Sequence, residues 1–179
     1  MKITLKLSDT LYYLSYFIWL FFIFISQTSL VNKFPVIYKL RILAMVVSII
    51  LLFVKFLCEK HTIEFILTYF GALCLGMAIG ITVHKPYYAL MVISTILLIV
   101  SIKNVNFRNV LILWSSSIAL FMFLIFGLVK LNLIENSLRI QSGGRVRFSQ
   151  GYFYVSFGAN YLFHLTLVYL YIRLSNIKF

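Results

Sequence analysis

The sequence predicts an all-α fold, a polytopic helical membrane protein with about six transmembrane helices. Three observations predict it. The chain of 179 residues is 63% hydrophobic and only 11% charged, against roughly 25% charged residues in a soluble domain. Its apolar residues gather in segments of about the 20 residues that a helix needs to cross a bilayer. A backbone in lipid must also satisfy its own hydrogen bonds, which makes such segments helices. Several spans use nearly the whole length, so residues 1–179 are expected to form a single membrane domain.

The first span is expected over 11–30. Lys2 and Lys6 precede it, as in a signal peptide, but Gln27-Thr28-Ser29 follows without a small-x-small cleavage pattern. It therefore reads as an uncleaved anchor. The second, 40–57, has Arg41 and Lys55 near its ends, where long side chains can snorkel toward headgroups. The third, 65–83, carries Ala72, Gly76 and Gly80 at four-residue spacing, a stripe that permits close helix contact. The fourth, 86–102, opens on Pro86, which suits a first helical turn. The fifth covers 110–129. The sixth, 158–174, has an indistinct start because Gly158 and Asn160 interrupt aromatic composition that begins at Tyr152. Between the last two lies a long loop, about 130–157, with a turn or hinge at Gly143-Gly144.

A net charge of +12 arises from 16 basic residues against Asp9, Glu59, Glu64 and Glu135. In a chain this apolar, the basic residues flank spans and meet anionic membrane lipids. No nucleic-acid partner is expected. The basic residues divide evenly between the two sides, so the positive-inside rule decides nothing by itself. Setting aside Arg139, Arg145 and Arg147 as held by function favours the N-terminus inside and the long loop outside.

Absent motifs narrow the chemistry. Asp9 is the single aspartate, which removes the Asp-x-Asp site that many nucleotide-sugar transferases use to hold a metal-bound diphosphate. There is no Gly-rich phosphate loop ending in Gly-Lys-Ser/Thr. Glu59 and Glu64 flank a loop without the form of a paired-carboxylate site. His61, His84 and His164 lack ligand spacing, and Cys58 and Cys74 indicate neither a disulfide framework nor zinc. No metal and no cofactor are expected.

What remains is the stretch "GGRVRFSQGYFYVSFGANYLFH", which with Arg139 gathers three arginines and contains no acid. The guanidinium fork suits bidentate capture of phosphate. These arginines can serve a basic juxtamembrane stretch on lipid phosphates or the diphosphate of a lipid-linked substrate. If Asn160 begins the last helix, it shares a face with His164, Val168 and Tyr171, for hydrogen bonding within the bundle or at the loop-facing end. Tyr152, Phe153, Tyr154 and Phe157 form an aromatic belt or stack on sugar rings.

The run "GGRVRFSQGYFYVSFGANYLFHLTLVYLYIR", preceded by "LVKLNLIENSLRI" and "LLIVSIKNVNFRNVLI", resembles the N-terminal half of Wzy-type polysaccharide polymerases of Gram-positive bacteria. In that family an arginine-containing outer loop leads through a Ser-x-Gly-Phe/Tyr-like stretch to a Pro-Asn step. Arg145, Arg147, Ser149, Gly151 and Tyr152 resemble the first part. Phe157-Gly158-Ala159-Asn160 resembles the second, with Ala159 where proline is common.

The resemblance implies a multi-pass protein of the bacterial cell membrane, a glycosyltransferase-type enzyme polymerising polyprenyl-diphosphate-linked oligosaccharide repeat units for capsule or exopolysaccharide. Arg139, Arg145 and Arg147 would bind the diphosphate, Tyr152, Tyr154 and Asn160 would contact glycan, and His164 or Glu135 would supply a base. Such polymerases have about twice the spans that this length holds and a second large outer loop. The chain is therefore expected to be a truncated, split or degenerate form, working with a partner subunit or other polysaccharide assembly proteins. The alternative is a non-catalytic membrane protein that binds lipid carriers or assembles with another membrane subunit.

Overall fold

The computed structural model describes residues 6–84, 86–136, 138–140, 146–152 and 156–174. In chain order the elements are α1 (Leu7–Ile25), α2 (Leu30–Lys33), α3 (Val36–Cys58), α4 (Ile63–Val83), α5 (Pro86–Val100), α6 (Phe107–Lys130), β1 (Leu138–Ile140), β2 (Val146–Phe148) and α7 (Ser156–Leu174). Four of them, α1, α3, α4 and α6, are long and apolar enough to cross a membrane. The apolar α5 is shorter, at 15 residues. In the 19 residues of α7, Asn160, His164 and Arg173 dilute the apolar character. Large apolar side chains stand open on these helices, Phe123 at 79% exposure and Ile63 at 77%, as lipid-facing surfaces require. The protein is a helical, polytopic membrane protein.

The first span differs most from its expected bounds. The helix starts at Leu7 and stops at Ile25, and a turn and the four-residue α2 occupy what the sequence extends to residue 30. Hydroxyls end it: Ser26 Oγ donates to the Ile23 carbonyl at 2.7 Å and Thr28 Oγ1 to that of Ile25 at 2.7 Å, satisfying carbonyls that a helix end leaves open.

The chain divides into two compact units, Met1–Phe22 with Lys39–Val110, and Ile23–Tyr38 with Leu111–Phe179. The first has an apolar core around Tyr12, Leu52, Tyr69, Ala72, Leu97 and Leu98. Polar bonds join its helices. Ser15 and Ser48, both fully buried, share a hydrogen bond of 2.7 Å, and Trp19 Nε1 donates to Ser94 Oγ at 3.0 Å. Each such bond between membrane helices contributes about 0.6 kcal/mol.

Within this unit α4 and α5 form a helical hairpin. Thr62 caps α4 by accepting from the Phe65 N–H at 3.4 Å, and His84 ends it in the left-handed region at φ 52°. A Cβ added at Gly76 would meet Ile93 Cδ1 at 2.7 Å and the Ala89 carbonyl at 3.3 Å, and one at Gly80 would meet Ala89 Cβ at 2.7 Å. The small-residue stripe therefore packs as the sequence predicts. Gly76→Leu should overpack this contact and cost about 1–3 kcal/mol, read as thermal unfolding in detergent. Gly71, on the same helix with nothing within 4 Å, is the control, and equal losses at both positions would contradict the packing.

The basic residues of α3 do more than reach for headgroups. The Arg41 guanidinium lies 4.1 Å from the Tyr87 ring centroid. Lys55 is only 2% exposed and pairs with Glu59 at 2.8 Å. Burial alone would raise the Glu59 pKa. The bond and charge of Lys55, with hydrogen bonds from Ser8 and Asn104, outweigh it and hold the carboxyl below its ordinary range.

Candidate functional site

The second unit carries the segments that the sequence singles out. Its only acid is Glu135, against Lys33, Lys130, Arg139, Arg145, Arg147, Arg173 and Lys178. Its aromatic centre is Phe24, 1% exposed, whose ring centroid lies 5.2 Å from Phe121, 4.8 Å from Tyr161 and 5.9 Å from Tyr152. The Tyr161 hydroxyl donates to Gln27 Oε1.

The end of α6 sets the loop's direction. Asn132 adopts φ 57°, the Asn132 N–H bonds the Val129 carbonyl at 3.0 Å and the Leu133 N–H that of Leu128 at 2.9 Å. This is a Schellman ending with asparagine at the left-handed position. The loop then lies against the α1–α2 turn. The Ser29 N–H donates to the Gly151 carbonyl at 2.8 Å, Ser29 Oγ approaches the carbonyls of Gly151 at 3.1 Å and Glu135 at 3.2 Å, and Lys33 Nζ donates to the Leu133 carbonyl at 3.3 Å. Thr28 and Tyr152 form an isolated antiparallel bridge. Gly151 has φ 84°, and a Cβ there would lie 2.8 Å from methyls of Ile125 and Val129. Only glycine lets the backbone pass so close.

Between these segments opens a polar cleft of about 720 Å³, with Ser29, Asn32, Lys33, Asn132, Glu135 and Asn136 in its wall. Its Asn136 Oδ1 accepts from the Gln150 N–H at 2.9 Å, closing the base of the β1–β2 hairpin. The antiparallel register sets Leu138 opposite Phe148, Arg139 opposite Arg147, and Ile140 opposite Val146. Residues directly opposite in a ladder are close neighbours, and like charges there are destabilising.

The sequence-predicted residues fall into three groups. Arg139 and Arg147 stand opposite each other in the hairpin register, and Glu135 lines the cleft. Arg145, Tyr154 and the Gly143-Gly144 turn lie outside the described residues. The others lie elsewhere: Asn160 and His164 are exposed on α7, His164 Nδ1 donates to the Asn160 carbonyl at 2.7 Å, and its ring centroid is 6.3 Å from that of Trp114. Neither lines the cleft. Tyr152 is 3% exposed, packed among aromatic rings. Burial, and then Tyr161 beside it, push the Tyr152 phenol up, so it stays a neutral donor. The hydroxyls of Tyr152 and Ser149 are buried without a hydrogen-bond partner among the described residues. Among those residues no group of three or more His, Cys, Asp and Glu could hold a metal.

Sequence reasoning missed Ser29, Asn32, Lys33, Asn132 and Asn136. The only signal for the first three was the polar Gln27-Thr28-Ser29 that ends α1. Comparison with known proteins returns no matching family model, curated protein or solved structure.

Proposed function

We propose that this protein binds a polyprenyl-diphosphate-linked oligosaccharide in the bacterial cell membrane and takes part in polymerising such units into capsule or exopolysaccharide. The observation that carries the reading is the Arg139–Arg147 register of a hairpin whose base is closed by Asn136, itself in the wall of a polar cleft. Two guanidinium forks suit a diphosphate, and as a glycosidic bond to the carrier breaks they would stabilise charge growing on the leaving diphosphate. Asparagine and serine groups in the cleft wall suit glycan hydroxyls. Glu135, the carboxylate in that wall, is the better candidate for deprotonating an acceptor hydroxyl, ahead of His164.

A second reading, a non-catalytic subunit that binds the lipid carrier, is favoured by one observation. Among the described residues lining the cleft, Glu135 has no second carboxylate or histidine beside it. Both readings require carrier recognition. In nanodiscs, the protein should bind a lipid-linked oligosaccharide saturably, and a large excess of anionic phospholipid should leave that binding in place. Displacement in proportion to added lipid charge would reduce the arginines to a basic membrane-facing stretch. Turnover to longer glycan would select the polymerase, and saturable binding without turnover the subunit.

A further inference from the structure

We infer that the α1–α2 turn is a clasp that holds the β1–β2 hairpin in place, with Ser29 as its positioning residue. The effect on binding rests on the carrier reading above and deepens it by naming what sets the arginine pair. The register carries the inference. Leu138 opposes Phe148 at the outer rung of the ladder, and the same pairing continued outward sets Asn136 opposite Gln150 and then Glu135 opposite Gly151. Asn136 and Gln150 do meet, the Gln150 N–H donating to Asn136 Oδ1 at 2.9 Å. At the next rung both carbonyls bond Ser29. Its N–H donates to the Gly151 carbonyl at 2.8 Å, and its Oγ lies 3.1 Å from that oxygen and 3.2 Å from the Glu135 carbonyl. A serine hydroxyl has one proton to give. Because the Gly151 oxygen already has the N–H, that proton is left for Glu135, and one residue ties both strands at a single rung. Beside it Thr28 bridges Tyr152, and Lys33 Nζ donates to the Leu133 carbonyl at 3.3 Å. The turn thus grips the chain on its way into β1 and on its way out of β2.

This grip offsets a weakness of the hairpin. A two-stranded hairpin is marginal by itself, these strands have three residues each, and the middle rung sets Arg139 opposite Arg147, where like charges destabilise. Held at its feet, the hairpin is ordered before a ligand arrives. A pre-ordered site loses less freedom on binding, so loosening the clasp should weaken whatever the arginines hold.

Hydrogen exchange of the full chain in nanodiscs without ligand, followed in peptides covering residues 146–152, reads the clasp directly. Ser29→Ala should speed exchange there about fivefold, as for one lost hydrogen bond, and Ser29→Thr, which keeps the hydroxyl, should restore it. Thr28→Val is the control, because the Thr28 hydroxyl bonds the Ile25 carbonyl of α1, and it should leave exchange near the wild-type rate. No acceleration in Ser29→Ala, or equal acceleration in Thr28→Val, would overturn the inference. Ser29 also lines the cleft, so binding of the lipid-linked oligosaccharide separates positioning from contact. Ser29→Ala should weaken binding about fivefold with the arginines present and have little further effect in Arg139→Ala/Arg147→Ala, the coupling of a residue that acts through that pair. Equal losses in both backgrounds would remove the positioning role. If exchange follows Ser29 as expected while the double arginine variant binds as tightly as wild type, the carrier reading falls and the clasp stands.

Discussion

Glu59→Ala should destabilise the first unit by about 3 kcal/mol, the lower end of the range for breaking a buried ion pair. The loss comes from what is left behind. Lys55 is 2% exposed, and without Glu59 its ammonium would stay buried with no carboxylate at 2.8 Å. The lower end applies because the Glu59 side chain keeps 14% exposure, so solvent already screens the pair. Replacing both residues, Lys55→Met with Glu59→Gln, should recover much of the loss, since an apolar substitute for a whole pair is often neutral. The pH dependence has a definite sign. The folded-state pKa of Glu59 lies below its ordinary value, so the stability it contributes is full above the ordinary carboxylate range and is lost as pH falls through the lowered value. Thermal unfolding in detergent across acid pH should show this limb in the wild type and not in Glu59→Gln. An acid limb of the same size in both would contradict the pairing.

Arg139→Ala/Arg147→Ala should weaken binding of the lipid-linked oligosaccharide about 100-fold, as for two lost charge-assisted contacts. Lysine keeps the charge and loses the planar fork, so Arg147→Lys should fall between wild type and Arg147→Ala. The double variant should not lose stability. Removing like charges that stand opposite in a ladder relieves about 0.2–1 kcal/mol in the unliganded hairpin. Weaker binding together with an unchanged or higher unfolding temperature would distinguish a ligand-binding pair from a structural one, and a large fall in unfolding temperature would mark the arginines as structural.

The membrane fold was legible because composition and segment length leave few other ways to satisfy a backbone in lipid. The α4–α5 contact was legible too, since Ala72, Gly76 and Gly80 recur on one helix face. The hairpin was not. Its strands have three residues each, too few to show alternation, and the sequence grouped Arg139, Arg145 and Arg147 by proximity without the register that sets Arg139 opposite Arg147. The cleft was hidden for a related reason: Ser29 comes from the α1–α2 turn and Lys33 from α2, about 100 residues before Leu133 and Glu135, and no local pattern joins positions so far apart. Lys55 looked like a snorkelling lysine because its partner, four residues on, lies past the helix end.

The most direct test of the account crosses ligand charge with the arginine pair. Affinity would be measured in nanodiscs for the lipid-linked oligosaccharide and for the same lipid and sugar joined by a neutral linker, each with wild type and Arg139→Ala/Arg147→Ala. The account predicts that wild type prefers the diphosphate form about 100-fold and that the double variant loses most of that preference, a coupling that a mutant cycle isolates. An equal preference in both proteins, or none in either, would contradict the claim that these arginines recognise the carrier's diphosphate.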